Sequence, residues 1–344
     1  MKHSLVRRQR PTLVLLGILA LVSIVIEGHA FWLDNSIIIA IFSLMAISVG
    51  LSYGRAGILS MATAGFASVG AFGTAILTTR YGASPYLGLA FAVVGPMLLA
   101  YPVARALTRL SPMPLSLATF LLSMILEILV REGGDFTGGY IGLSGIPRLG
   151  IAKTAQSMHF VAWGSVLIAL FLSINLIHSA RGRAIKTARH DPLRATADGV
   201  AVPHLLASTF AVSAAIAGVA GWLYAHHLTY MGPDSLTTHV SIQAMLMAVV
   251  GGAGTFLGPV VGAALLLILT LNLPAAETQG MVFGGLLVAM LLLAPRGLLG
   301  TNWRALLRGQ SGHRRQPAAR GKERPPIAPE RAVARISTSH RETR

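Results

Sequence analysis

Apolar residues run through most of the chain in long stretches, and polar residues gather in short intervals between them. About ten stretches can be read: 12–27, 32–51, 56–79, 86–107, 113–131, 159–178, 206–226, 240–252, 255–271 and 280–295. A helix that crosses a bilayer needs about 20 residues at 1.5 Å rise. The stretches 240–252 and 255–271 fall short of that, and a glycine run divides them, which predicts one broken or re-entrant unit. The predicted fold is all-α, a polytopic transmembrane helix bundle of about ten segments with discontinuous or re-entrant Gly-rich helices.

Composition agrees. Of the 344 residues 53% are hydrophobic and only 12% charged, about half the charged share of a soluble domain. With no cysteine, neither a disulfide nor a cysteine-based metal or redox site can form. The first stretch follows basic residues and ends near Gly28-His29-Ala30, as a signal peptide does; the many later stretches favour an uncleaved first helix.

Charge sets an orientation. The net charge is +16, and Lys and Arg concentrate in 1–10, in 181–194 and after 296. With the N-terminus inside and the segments alternating, those clusters and Arg55, Arg105 and Arg109 all fall on the cytoplasmic side. Arg80, Arg131, Arg148 and Lys153 fall outside. The organisation expected is a cytoplasmic segment 1–11, a membrane domain 12–300 and a basic, disordered cytoplasmic tail 301–344. Within the membrane domain, 132–158 forms an external loop and 179–205 a cytoplasmic one. The excess charge reads as cytoplasmic segments resting on anionic lipid, with no nucleic-acid role.

Small residues recur at helical spacing. Gly254, Gly258 and Gly262 form one stripe; Gly65, Gly70 and Gly73 punctuate an earlier segment, with Ser60 and Thr63 beside them. Such residues let helix backbones approach closely, or they line a narrow pathway with backbone groups and hydroxyls. Breaks at Gly251-Gly252-Ala253-Gly254 and Gly258-Pro259 favour discontinuous helices. Gly57, Ser60, Gly65, Gly70, Gly251, Gly252, Gly254, Gly258, Pro259 and Gly262 are therefore the candidates for pathway or helix break. Glu127, within about a turn of the end of its segment, is either functional or paired with Arg131 at i+4. His226, His227 and His239 read as interfacial residues rather than metal ligands.

No Gly-x-x-x-x-Gly-Lys-Ser/Thr phosphate loop occurs, so the chain does not hydrolyse nucleotide by that device. His-Glu-x-x-His and Gly-x-Ser-x-Gly are also missing, and an intramembrane enzyme lacks a plausible set of catalytic groups. A secondary transporter would need buried carboxylates for its coupling ions, and the only candidate, Glu127, is shallow. The inner loop is longer than a passive connection, which takes a few residues.

That loop carries a specific resemblance. Gly182-Arg183-Ala184 through Asp191 to Ala195, Ala197 and Gly199 resembles the coupling loop of branched-chain amino-acid ABC transporter permeases of the LivM type. The likeness extends to Ser213–Gly221, Gly232-Pro233-Asp234-Ser235, Gly251–Ala263, Pro295-Arg296-Gly297-Leu298 and Tyr53-Gly54-Arg55-Ala56-Gly57. It also takes in the outer-loop residues Thr137, Gly138, Gly139, Gly142 and Gly145. The pattern is departed from at Pro192, Arg194 and Thr196.

The resemblance implies a multi-pass subunit of a bacterial inner membrane with both termini cytoplasmic. It implies a second permease subunit in a heterodimer, cytoplasmic ABC ATPase subunits that bind the ATP, and an external solute-binding protein. No cofactor is expected in this chain. Gly182, Arg183, Asp191, Ala195, Ala197 and Gly199 would form the contact with an ATPase. The solute expected is a branched-chain or other apolar amino acid. The alternative reading is a secondary transporter or channel for a small polar solute such as urea or an amide.

Overall fold

The computed structural model describes residues 9–26, 28–107, 110–271, 280, 284–285, 288–290, 292, 294 and 297–301. Half of the stretch 280–295 and all of the tail after Thr301 lie outside the described residues, as do residues 1–8.

The elements in order are α1 (Arg10–Val25), α2 (Ala30–Val49), α3 (Thr63–Arg80), α4 (Pro85–Leu107), α5 (Pro112–Glu132), α6 (Gly134–Thr137), β1 (Leu143–Ser144), α7 (Ala155–His178), α8 (Ala180–His190), α9 (Pro192–Ala197), α10 (Val202–Leu228), β2 (Tyr230–Met231), α11 (Thr238–Gly251) and α12 (Gly258–Leu271). A π-helix, Gly50–Arg55, continues α2. Among the described residues five helices are long and apolar enough to cross a membrane: Ala30–Arg55, Pro85–Leu107, Met113–Glu132, Ala155–His178 and Val202–Leu228. α1, α11 and α12 are apolar but shorter.

The centre is built from backbone meeting backbone. α10 packs on α2, α3 and α4, and a Cβ at Gly70, Gly218 or Gly221 would overlap the carbonyl of Gly218, Ala92 or Ala67 respectively. Pro96, inside α4, has no N–H to give to the carbonyl of Ala92, four residues earlier. That carbonyl is the one lying against Gly218. Close Cα–H···O contacts of this kind are how membrane helices associate without a hydrophobic drive between them. Large apolar side chains on the outward faces, such as Leu98, Leu117 and Leu172, remain exposed.

Two departures from the sequence reading have local causes. The stretch 56–79 is not helical from its start, because Gly57 takes φ +76° and α3 begins only at Thr63. The non-helical backbone there is satisfied by neighbours: Met61 N–H donates to Thr119 Oγ1 of α5, and Ala64 N–H to Ser241 Oγ of α11. The all-α expectation gains a two-residue antiparallel ladder, Leu143 opposite Met231 and Ser144 opposite Tyr230.

α10 starts just after α9 and ends just before β2. Its 27 residues therefore separate an α8–α9 end of the molecule from a strand end, by about 40 Å at 1.5 Å per residue.

Candidate functional site

The break between α11 and α12 lies at the α8–α9 end. α11 stops at Gly251, and Gly252 takes φ +110°, a conformation other residues rarely adopt. The turn ties itself: Thr255 Oγ1 donates to the Gly252 carbonyl at 2.9 Å and accepts from Gly258 N–H at 3.0 Å. The two helices then run back along each other in near backbone contact. A Cβ at Gly251 would overlap the Gly258 carbonyl, and one at Gly262 the Met247 carbonyl. Pro259 lies under Gly50 of the π-helix, and Gly54 presses on the carbonyl of Ala253. Gly254 is a correction. It sits in the turn rather than on the α12 stripe, and a Cβ there would meet nothing within 4 Å.

Charged and aromatic groups fix this end to its neighbours. The Arg55 guanidinium stands 3.9 Å over the Phe256 ring, and Phe256 stacks on His178 with ring centroids 5.9 Å apart. Arg189 of α8 lays its stem on Gly57 and donates to the Gly54 carbonyl. An open cavity of about 400 Å³ is lined by Tyr53, Gly54, Arg189 and the turn Ala253–Thr255, among others.

α8 and α9 form the inner-loop pair. Ser179 Oγ accepts from Gly182 N–H, which caps α8, and Asp191 Oδ1 accepts from Arg194 N–H at 3.0 Å, which caps α9. α8 turns Ile185 and Ala188 inward and leaves Arg181, Arg183 and Lys186 exposed. Gly182 lies against the Ile177 carbonyl. Gly199, at φ +82°, closes α9, and Val200 N–H donates to the Ala195 carbonyl. Ala197 is exposed. Ala195 is a second correction: it is wholly buried within this chain, so it cannot face a partner. Leu193 is the apolar residue that points away, 84% exposed.

At the strand end, Gly138, Gly139, Gly142 and Gly145 all take positive φ, and Thr137 Oγ1 donates to the Val130 carbonyl at 2.6 Å. Glu127 Oε2 accepts from both the N–H and the hydroxyl of Thr238, at 2.9 and 3.0 Å, where α11 begins. Its other oxygen is 3.5 Å from Arg131, which pairs with Asp234 at 2.8 Å. Glu127 thus acts as the missing cap of α11. His226, read as interfacial, is instead buried between Thr74 Oγ1 at 3.1 Å and the Pro147 carbonyl at 2.7 Å.

The predicted pathway glycines therefore separate into two groups. Gly57, Gly251, Gly252, Gly254, Gly258, Pro259 and Gly262 gather around the break. Gly65 and Gly70 lie apart within α3, against α5 and α10. Ser60 is buried and accepts from Ala62 N–H at 3.3 Å.

A family model described as "Branched-chain amino acid transport system / permease component" matches residues 32–294, a span that contains both the break and α8–α9. The chain belongs to this permease family. It is 28% identical to the high-affinity branched-chain amino acid transport system permease protein LivM of Escherichia coli, over 77% of this chain and 69% of that one. It is 25% identical to LivH of Escherichia coli, over 75% of this chain and 91% of that one. A probable LivH of Methanocaldococcus jannaschii is 26% identical over 82% and 96%. No solved structure gives a significant match. The family is one of transport permeases rather than of enzymes, and the chain is a multi-pass membrane permease.

In this permease, sequence reasoning gives no role of their own to the π-helix, Tyr53, Arg189, Phe256 and Leu193. Gly50 and Gly54, four apart at the end of an apolar run, were a usable signal for close backbone approach. Leu193 was another, the only large apolar side chain between Lys186 and Val200.

Proposed function

We propose that this permease is one half of a heterodimeric membrane channel that imports branched-chain or other apolar amino acids. Cytoplasmic ABC ATPases drive it, and an external binding protein supplies it. The membership of the family and the names of its relatives, LivM and LivH, support a two-permease importer of such solutes. In this reading both termini and α8–α9 are cytoplasmic, and the loop around Gly139 is external. About ten segments cross or enter the membrane, and the tail 301–344 rests on anionic lipid. The break around Gly252 and the glycines of α12 border the solute route, and Thr137 to Gly145 face the binding protein. Gly182, Arg183, Asp191, Ala197 and Gly199 shape the ATPase contact.

The observation that carries the coupling role is Leu193. An 84% exposed leucine on a capped six-residue helix, beside exposed arginines, is an apolar knob with no use inside this chain. Leu193→Ser touches no packed atom, so the variant should insert and melt like the parent. Co-purification of the ATPase, or solute-stimulated ATP hydrolysis in vesicles, should fall about tenfold, the loss expected for one buried apolar anchor. Full ATPase retention would remove α9 from the interface. Because the chain has no cysteine, single introduced cysteines at 190 and 139 report sidedness directly. A membrane-impermeant thiol reagent should label 139, and not 190, in intact cells.

A further inference from the structure

The cavity beside α8 has the lining of an anion site. Among the described residues its lining holds Arg189 and no carboxylate. Among the described residues Arg189 has no acidic side chain within ion-pairing distance, and only one of its N–H groups is engaged, with the Gly54 carbonyl. A guanidinium carries five donors, so most remain available. The Tyr53 hydroxyl, also in the lining, has no hydrogen-bond partner among the described residues. Nor do the N–H groups of Ala253 and Gly254 find one, although Ala253 is buried. Backbone donors that no described residue accepts from can serve a ligand oxygen in an open cavity. Thr255 Oγ1, the other hydroxyl of the lining, is already committed at both its donor and acceptor sides. Donors and positive charge thus converge where, among the described residues, no carboxylate answers them.

From this we infer that the cavity between α8, the π-helix and the α11–α12 turn binds a phosphate-bearing anion, either the headgroup of an anionic phospholipid or free phosphate. Planar N–H pairs of arginine match the oxygens of a phosphate, and successive backbone N–H groups in a glycine turn make an anion cradle. The volume of about 400 Å³ falls in the range of small-ligand sites. The cavity opens beside the end of the α2 span, the level at which a lipid headgroup lies. The inference does not depend on which solute the permease carries.

The test uses the purified full-length chain, titrated separately with phosphatidylglycerol, inorganic phosphate and leucine. Bound species are read by native mass spectrometry and by the shift in Tm. Saturable phosphatidylglycerol binding that phosphate does not displace assigns the site to lipid. Binding of phosphate with displacement of lipid assigns it to the free ion, and either result supports the inference. Arg189→Gln should weaken binding roughly tenfold or more, the loss of one charge-assisted pair. Lys186→Gln, exposed on the same helix but outside the lining, should bind like the parent. Gly254→Phe places a ring in open space at the cavity and should abolish binding without unfolding the chain. No saturable binding of either phosphate species overturns the inference. So does parental affinity in both Arg189→Gln and Gly254→Phe. Displacement by leucine and not by phosphate would also overturn it, by giving the cavity to the solute carboxylate.

Discussion

The two ends of the permease are held by different means. At the strand end, side chains fasten loops to helix ends: Glu127 caps α11, Arg131 reaches Asp234, His226 holds the Pro147 carbonyl, and a short ladder joins the loops. At the α8–α9 end the backbone of the break fits the backbone of its neighbours, with an open cavity beside it. The first kind of fastening fails one bond at a time. The second depends on the absence of side-chain atoms and fails as a whole when one is added. A part that must move as a unit under an external load suits the second kind.

Substitutions at the break should therefore have the largest effect. In Gly258→Leu the first added carbon already overlaps the Gly252 carbonyl, and Gly251 and Thr255 crowd the same point. The expected cost is about 3 kcal/mol, the upper end for overpacking, seen as low membrane protein levels and a Tm lowered by several degrees. Normal levels and normal Tm would mean that α11 and α12 are not interlocked. Next comes Glu127→Ala, which removes two hydrogen bonds from the start of α11 and leaves Arg131 with Asp234 alone. About 1–2 kcal/mol should be lost, as for other helix caps, and Glu127→Gln should recover part of it because an amide oxygen can still accept. If Gln is no better than Ala, charge rather than capping is what Glu127 supplies. Gly199→Val should cost about 1 kcal/mol through its positive φ, confined to α9. Melting should hardly change while ATPase co-purification drops; equal losses in both would show that α9 supports the fold. Smallest of all is Tyr140→Phe. The hydroxyl donates to Glu132 from an exposed ring, and no change in Tm or transport is expected.

What the sequence revealed follows the same division. The five helices long and apolar enough to cross a membrane declared themselves because each is a long apolar run, and the break because glycines and a proline cannot continue a helix. The end of α9 was readable from Gly199 alone. Contacts that join distant residues were not. Nothing local in Ala195 says that it faces inward, since a six-residue helix has no measurable apolar face. Gly254 looked like a member of a stripe because spacing cannot tell whether a glycine lies one turn into a helix or in the loop before it. His226 reads as interfacial from its place at a segment end, and the Pro147 loop that covers it is distant in sequence. The π-helix escaped because its sequence, Gly50–Arg55, is also a normal helical continuation.

The ladder between Leu143–Ser144 and Tyr230–Met231 joins residues with the whole of α7 to α10 between them. A chain made at about 5–20 residues per second offers the first strand several seconds before its partner exists. During that interval Leu143 and the glycine turn ahead of it have no ladder to enter, and four further helices have still to be delivered. Closure of this face is therefore a late step of biogenesis. A nascent permease halted before β2 should leave the loop open to protease, and one released after it should not. The pair of strands then serves as a seal that reports completed insertion of the helices between.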